Sequence, residues 1–359
     1  MAHLLTNYCV EVQPGDKVLL GGTVATLPLV VETYRQVIRA GGHPLLQLDD
    51  DAFQEIFLSE ASDAQLQFVP EPQKLTFETY DCLINIRGSN NTRALTGTDP
   101  ARQQMMQAAR SEIMGTYMRR SAEGSLRWVA TMFPTQAQAQ EADMSLSDYA
   151  DFVFRACYVD KEDPVAAWQA VSARQQRLVD WLAGKDKVVV RGPNIDMQLS
   201  IAGRTFINAD GKRNMPDGEI FTGPVEESVN GWVKFTYPAI VAGREVSGVQ
   251  LRFEGGQVVE ASAAKNDDYL QKMLNTDDGA RYLGEFAVGT NYGIDIFTKS
   301  ILYDEKIGGT LHMALGRGYP DTGSKNVSGI HWDMICDMRD GSQIWVDDEL
   351  LYENGQFVI

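Results

Sequence analysis

Histidine and cysteine are scarce, with four of each in 359 residues. Cys9, Cys82, Cys157 and Cys336 lie far apart in the chain. No CxxC pair and no zinc-finger spacing exists, and a chain of this size does not need a disulfide framework. Reduced thiols in a cytoplasmic protein are the expectation. So few histidines leave little room for a serine-hydrolase triad. No run of about 18 apolar residues is present, so no membrane-spanning helix is expected. The first residues, MAHLLTNYCVEVQPGD, lack a basic stretch leading into an apolar one, so no signal peptide is expected. Positive charge is also short. Lys and Arg number 32 against 49 Asp and Glu, a net charge of −17. Such a surface repels nucleic-acid phosphates and anionic lipid, so neither nucleic acid nor membrane is expected as a partner. It accepts cationic ligands, metal ions and small substrates. There is no GxGxxG and no GK[ST]. GDKVLLGGTVATLPLV therefore reads as a plain strand-to-helix turn, and no nucleotide cofactor is expected.

What is present is a globular composition, 44% hydrophobic and 23% charged, at a length suited to two domains. The first half alternates short strand-like runs with helical ones. GDKVLLGG and HPLLQLDD read as strands. Between them lies an amphipathic helix, LPLVVETYRQVIRAGG, stopped by Gly41–Gly42. That is a βαβ unit, the mark of a parallel sheet in an α/β domain. YDCLINIRG and LRWVATMF continue the pattern, with a helix through ARQQMMQAARSEIMGTYMRR between them. Residues 163–184 form the clearest helix, with Pro164 at its first position and Gly184 at its stop. From KVVVRG onward the chain alternates apolar and polar residues. The reading is an α/β N-terminal domain, 1–185, and a mainly antiparallel β (α+β) C-terminal catalytic domain, 186–359.

The chemistry-bearing residues collect in the second half. His331 and Asp333 stand two apart in GIHWDMICDM, so a strand would point both to one face. Trp332 and Cys336 then face the other way, into the core. His312 follows the Gly308–Gly309 turn, with Glu305 before it and Tyr319 after it. Two strands are expected around that turn. Glu219 follows a Pro-Asp-Gly turn, and Glu285 sits inside an apolar strand, where a lone carboxylate needs a partner. A metal ion is one such partner and a basic side chain is another. Together Glu219, Glu285, Glu305, His312, His331 and Asp333 offer mixed oxygen and nitrogen ligands, suited to zinc, cobalt, manganese or iron. Six are too many for one tetrahedral ion and fit two ions sharing a carboxylate.

Four blocks, NMPDGEIFTGPVEESVNG, LGEFAVGTN, DEKIGGTLHMALGRGYP and IHWDMICD, resemble the M29 family of metallo-aminopeptidases, the aminopeptidase T group. The resemblance is specific from residue 214 to 337 and general before that. It implies an enzyme that removes N-terminal residues from peptides carrying a free N-terminus. It also implies a homodimer whose active sites face a partly enclosed cavity. Carried over residue by residue, the family's ligands to two divalent ions (zinc, cobalt or manganese) fall on Glu219, Glu285, Glu305, His312, His331 and Asp333. Glu285 falls on the bridging position. The family's tyrosine near the metals falls on Tyr319. Tyr319 is then expected to stabilise the oxyanion, and Glu305 or Glu226 to move the proton. A related branch of mononuclear non-haem iron dioxygenases cleaves hydroxypyridine rings. It resembles the chain at the HxD pair, but has a histidine at the position of Glu285 and no counterpart of His312. A non-catalytic, metal-bound scaffold is the third reading; none of the matched ligand positions is missing here.

Overall fold

The computed structural model describes residues 1–241 and 244–359. The chain divides into two compact units, Met1–Val165 with Gly211–Pro216, and Ala166–Asp210 with Asp217–Ile359.

In the first unit, five parallel strands form one sheet. Their spatial order is His43–Asp49, Lys17–Thr23, Cys82–Arg87, Arg127–Met132 and Asn214–Met215. The helix Leu27–Arg39 connects the first two in sequence and buries Leu29, Val30, Thr33 and Val37. Gly41 ends it at φ +84°, the left-handed conformation in which glycine carries no steric penalty. The helix expected over ARQQMMQAARSEIMGTYMRR is two, Pro100–Ala109 and Ser111–Ala122, joined at Arg110. The sequence pattern did not show Asp51–Glu60 or Glu71–Thr79, whose buried faces are narrow. It also read residues 186–359 as one mainly antiparallel domain. Asn214–Met215 instead adds to the parallel sheet, and the Thr131 hydroxyl donates to the Met215 carbonyl at 2.6 Å.

The second unit opens at Ala166, within the long helix Pro164–Leu182. The reason is packing: Leu178 and Leu182 join the same core as Val188 and Val190 of the following strand. Two antiparallel sheets share that core. One has eight strands, from Gln257–Ser262 at one edge to Gln356–Phe357 at the other. The other has five, in the order His331–Asp337, Thr310–Gly316, Leu283–Gly289, Glu219–Thr222 and Ile207–Ala209. Leu311, Met313, Leu315, Phe286, Val288, Trp332, Met334 and Cys336 of the smaller sheet lie in the core. These are the alternate residues of three neighbouring strands. Strand alternation therefore gives the opposite face to the residues between them.

Candidate metal centre

That opposite face carries the predicted residues. In the strand register, Ala287 pairs with His312, Gly289 with Glu219, and Glu285 with Ala314. Across the next ladder, Ala314 pairs with Asp333 and Gly316 with His331. Two imidazoles and three carboxylates thus stand on one face, with Ala287, Gly289, Ala314 and Gly316 between them. The small residues leave room that larger side chains would fill. A bulge at Gly284 sets the start of this arrangement, because the register shifts between Leu283 and Glu285. Only glycine fits there: an added Cβ would lie 2.3 Å from the Arg317 carbonyl oxygen.

Glu305 reaches the group from elsewhere. The two strands expected around Gly308–Gly309 are one strand and one helical turn. Ile301–Asp304 is helical, Glu305 caps it, and only Thr310–Gly316 is extended. The reason is local. Ser300 opens the turn and its carbonyl accepts from Tyr303 and Asp304 N–H groups.

Ligand atoms of the six residues fall into three close groups, each within 4.8 Å. They are Glu219–Glu285–His312, Glu285–His331–Asp333 and Glu305–His312–Asp333. Glu285 belongs to the first two. Its Oε1 lies 3.7 Å from His312 Nε2 and its Oε2 lies 3.1 Å from His331 Nε2. His331 Nδ1 lies 2.7 Å from the Arg317 carbonyl oxygen. A carbonyl only accepts, so Nδ1 carries the proton and Nε2 faces the carboxylates.

The donor set fits divalent ions on an observation of its own. Glu219 Oε2, Asp333 Oδ1 and His312 Nδ1 are buried without a hydrogen-bond partner among the described residues. Groups like these are costly to desolvate unless a cation or donor takes them. The electrostatics agree. Burial raises the Glu219 carboxyl to about 7 despite the neighbouring Lys306. Burial opposes ionisation of Glu285 too, but the adjacent His312 and His331 imidazoles outweigh it and hold it at about 2. Burial also works against charged imidazoles, yet Glu219 and Glu285 push His312 up to about 9. Asp333 and Glu285 push His331 up to about 11. The pocket as a whole demands positive charge.

Tyr319 stands at the rim and is 42% exposed. Its hydroxyl is 3.5 Å from His331 Nε2, and its ring packs on His331 and Phe221. Burial of the phenol, then Glu285 and Asp333, raise its pKa, so it remains a donor. Glu226 is elsewhere engaged. Oε2 accepts from Arg204 at 2.5 Å and Oε1 from the Lys325 N–H at 2.6 Å.

The sequence reasoning missed two residues. Lys306 is buried, with Nζ 2.6 Å from Glu219 Oε1, 2.5 Å from Glu305 Oε1 and 3.8 Å from Asp217 Oδ1. Asp217 is buried as well and was read only as part of a turn. The available signal was slight. Asp217 stands two before Glu219, and no Asp, Glu, Lys or Arg follows Lys306 until Arg317.

Comparison with known proteins gives the family and the fold. A model of the thermophilic metalloprotease family M29 matches residues 1–357. Aminopeptidase 2 of Geobacillus stearothermophilus is 27% identical over 345 residues, 89% of this chain and 83% of that protein. Aminopeptidase T of Thermus aquaticus is 31% identical over 255 residues, 65% of this chain and 62% of its own length. The solved structure of wild-type AmpT from Thermus thermophilus superimposes with a TM-score of 0.87 at 22% identity. It covers all of this chain and 98% of that one, and it shows the shared fold.

Proposed function

This chain belongs to the M29 metalloprotease family, and from that premise we propose a metal-dependent aminopeptidase acting through two divalent ions. The observation that carries the reading is the double membership of Glu285. It is the one carboxylate common to the Glu219–His312 and His331–Asp333 groups. One group would be Glu219, Glu285 and His312, the other Glu285, His331 and Asp333, with Glu305 at the junction of both. Divalent ions held there supply Lewis acidity, acidifying a water and polarising a carbonyl. Zinc, cobalt and manganese all suit carboxylate and imidazole ligands.

The chain's own residues do the rest. The Tyr319 hydroxyl is placed to donate to a carbonyl oxygen as it gains charge. Burial, against the pull of Lys306, holds the Glu305 carboxyl above its ordinary range. Its Oε1 already accepts from Lys306, so Oε2 takes and returns a proton only while it is not bound to an ion. Carboxylates crowding one rim suit the ammonium of a free peptide N-terminus. Four cysteines spaced far apart in the sequence suit a reducing cytoplasm. A homodimer is what the family resemblance implies. Two residues weigh against the iron dioxygenase reading: Glu285 stands where that branch has histidine, and His312 is present.

Elemental mass spectrometry on chelator-free protein, paired with hydrolysis of an aminoacyl-anilide panel, tests the proposal. Two divalent ions per chain with turnover is the expected result. A single iron with no turnover, or no metal and no activity after divalent ions are restored, overturns it.

A further inference from the structure

Four carboxylates, Glu219, Glu285, Glu305 and Asp333, belong to the ligand groups, and a fifth, Asp217, lies 3.8 Å from Lys306 Nζ. Two divalent ions would neutralise four of these charges, and imidazoles that ligate are neutral. One negative charge remains. Lys306 is the cation within reach of it, with 2% of its side chain exposed. Its placement is also directional. Glu219 Oε1 lies 2.6 Å from Lys306 Nζ, while Glu219 Oε2 has no hydrogen-bond partner and lies 3.2 Å from His312 Nε2. Glu305 is divided in the same way, with Oε1 on the ammonium.

We propose that Lys306 is a positioning residue of the metal centre, fixing Glu219 so that only Oε2 faces an ion and supplying the fifth positive charge. The inference rests on the two-ion reading above. The backbone is built to keep the lysine in place. The Lys306 N–H donates to the Tyr303 carbonyl, and its own carbonyl accepts from Asn291 N–H at 3.1 Å. The following peptide runs so close to the sheet that a Cβ on Gly289 would lie 2.2 Å from the Ile307 carbonyl oxygen. A lysine held this firmly, with three carboxylates around its ammonium, has little freedom to swing away. An uncharged side chain there would leave Glu219 free to turn both oxygens toward one ion, or toward neither.

The test uses the full chain, stripped of metal and titrated with zinc by calorimetry, with elemental analysis after gel filtration. Wild-type protein should retain two ions. Lys306→Met should retain about one, with affinity for the other lowered about 10–100-fold, the usual effect of losing a group that orients a ligand. Lys306→Gln, which keeps a donor but no charge, serves where the methionine variant does not fold, and should lose at least about 10-fold. A purely structural lysine would lower the melting temperature and leave the affinity of the folded protein unchanged, which overturns the proposal. A crystal structure of zinc-loaded wild-type protein needs no variant. Glu219 bound through one oxygen with the other on Lys306 supports the inference, and Lys306 displaced from Glu219 overturns it. Wild-type protein that binds fewer than two ions removes the two-ion reading itself. Wild-type with two ions beside an unaffected variant removes only the role of Lys306.

Discussion

Glu285 and Asp333 oppose the same residue, Ala314, from its two neighbouring strands. One methyl group therefore separates two carboxylates that the sequence places 48 positions apart. Both turn away from the core, because Met313 and Leu315 on either side of Ala314 turn into it. The whole centre follows from this alternation, and its consequences can be measured.

Glu285→Gln removes the charge shared by both ligand groups. Losing an orienting partner of a ligand costs about 10–100-fold, so losing the ligand charge itself should cost more than about 100-fold in kcat/KM. Metal content should fall below two ions per chain. Retention of two ions and of full turnover would count against Glu285 as a bridge.

Tyr319→Phe should leave metal content unchanged. If the hydroxyl stabilises developing negative charge, kcat falls by about 100-fold or more while KM changes little. Anilide kinetics read both parameters, and a change confined to KM would assign Tyr319 to substrate binding instead.

Gly284→Ala tests the bulge. Its Cβ would meet backbone of Arg317 and Gly316, which cannot step aside as a side-chain tip can. We expect a loss of about 2–4 kcal/mol in stability, in the range of overpacking and strain. Surviving folded protein should bind metal more weakly, because Glu285 follows the bulge directly. Urea unfolding and zinc titration report the two effects separately.

Glu226 supplies the pH prediction. Burial opposes its ionisation, but hydrogen bonding to the Lys325 N–H and the Arg204 ion pair hold its carboxyl below the ordinary range. A depressed folded pKa means the stabilisation is present above the unfolded value, about 4.3, and fades as pH falls through the folded one. Glu226→Gln should therefore destabilise the protein by about 1–3 kcal/mol at pH 7, after allowing for partial exposure. The gap between variant and wild type should close toward pH 3. A gap that stays constant from pH 7 to 3 would show that the charge on Glu226 contributes nothing.

Chelation should lower the melting temperature, and zinc or manganese should restore it. Free ion at 100 times its dissociation constant stabilises the folded state by about 2.7 kcal/mol. Scanning fluorimetry with and without chelator measures this. Identical melting curves would argue against a resident metal.

The sequence by itself determined the two kinds of sheet. A βαβ alternation needs a crossover and so gives parallel strands, while short alternating runs joined by tight turns give antiparallel ones. It also determined the residue types at Glu219, Glu285, His312, His331 and Asp333, since a polar group in an apolar strand is visible without coordinates. The HxD spacing set one shared face, because the side-chain period of a strand is two. Other features were decided only in three dimensions. Strand register, which no local pattern encodes, set Ala314 between Glu285 and Asp333. Residues 214–215 read as part of the later β region but paired with Arg127–Met132, since edge pairing depends on which backbone groups remain open. Lys306 carried almost no signal. A lysine in sequence reads as a solvated charge, and only the burial of Asp217, Glu219 and Glu305 around its ammonium makes it part of the centre.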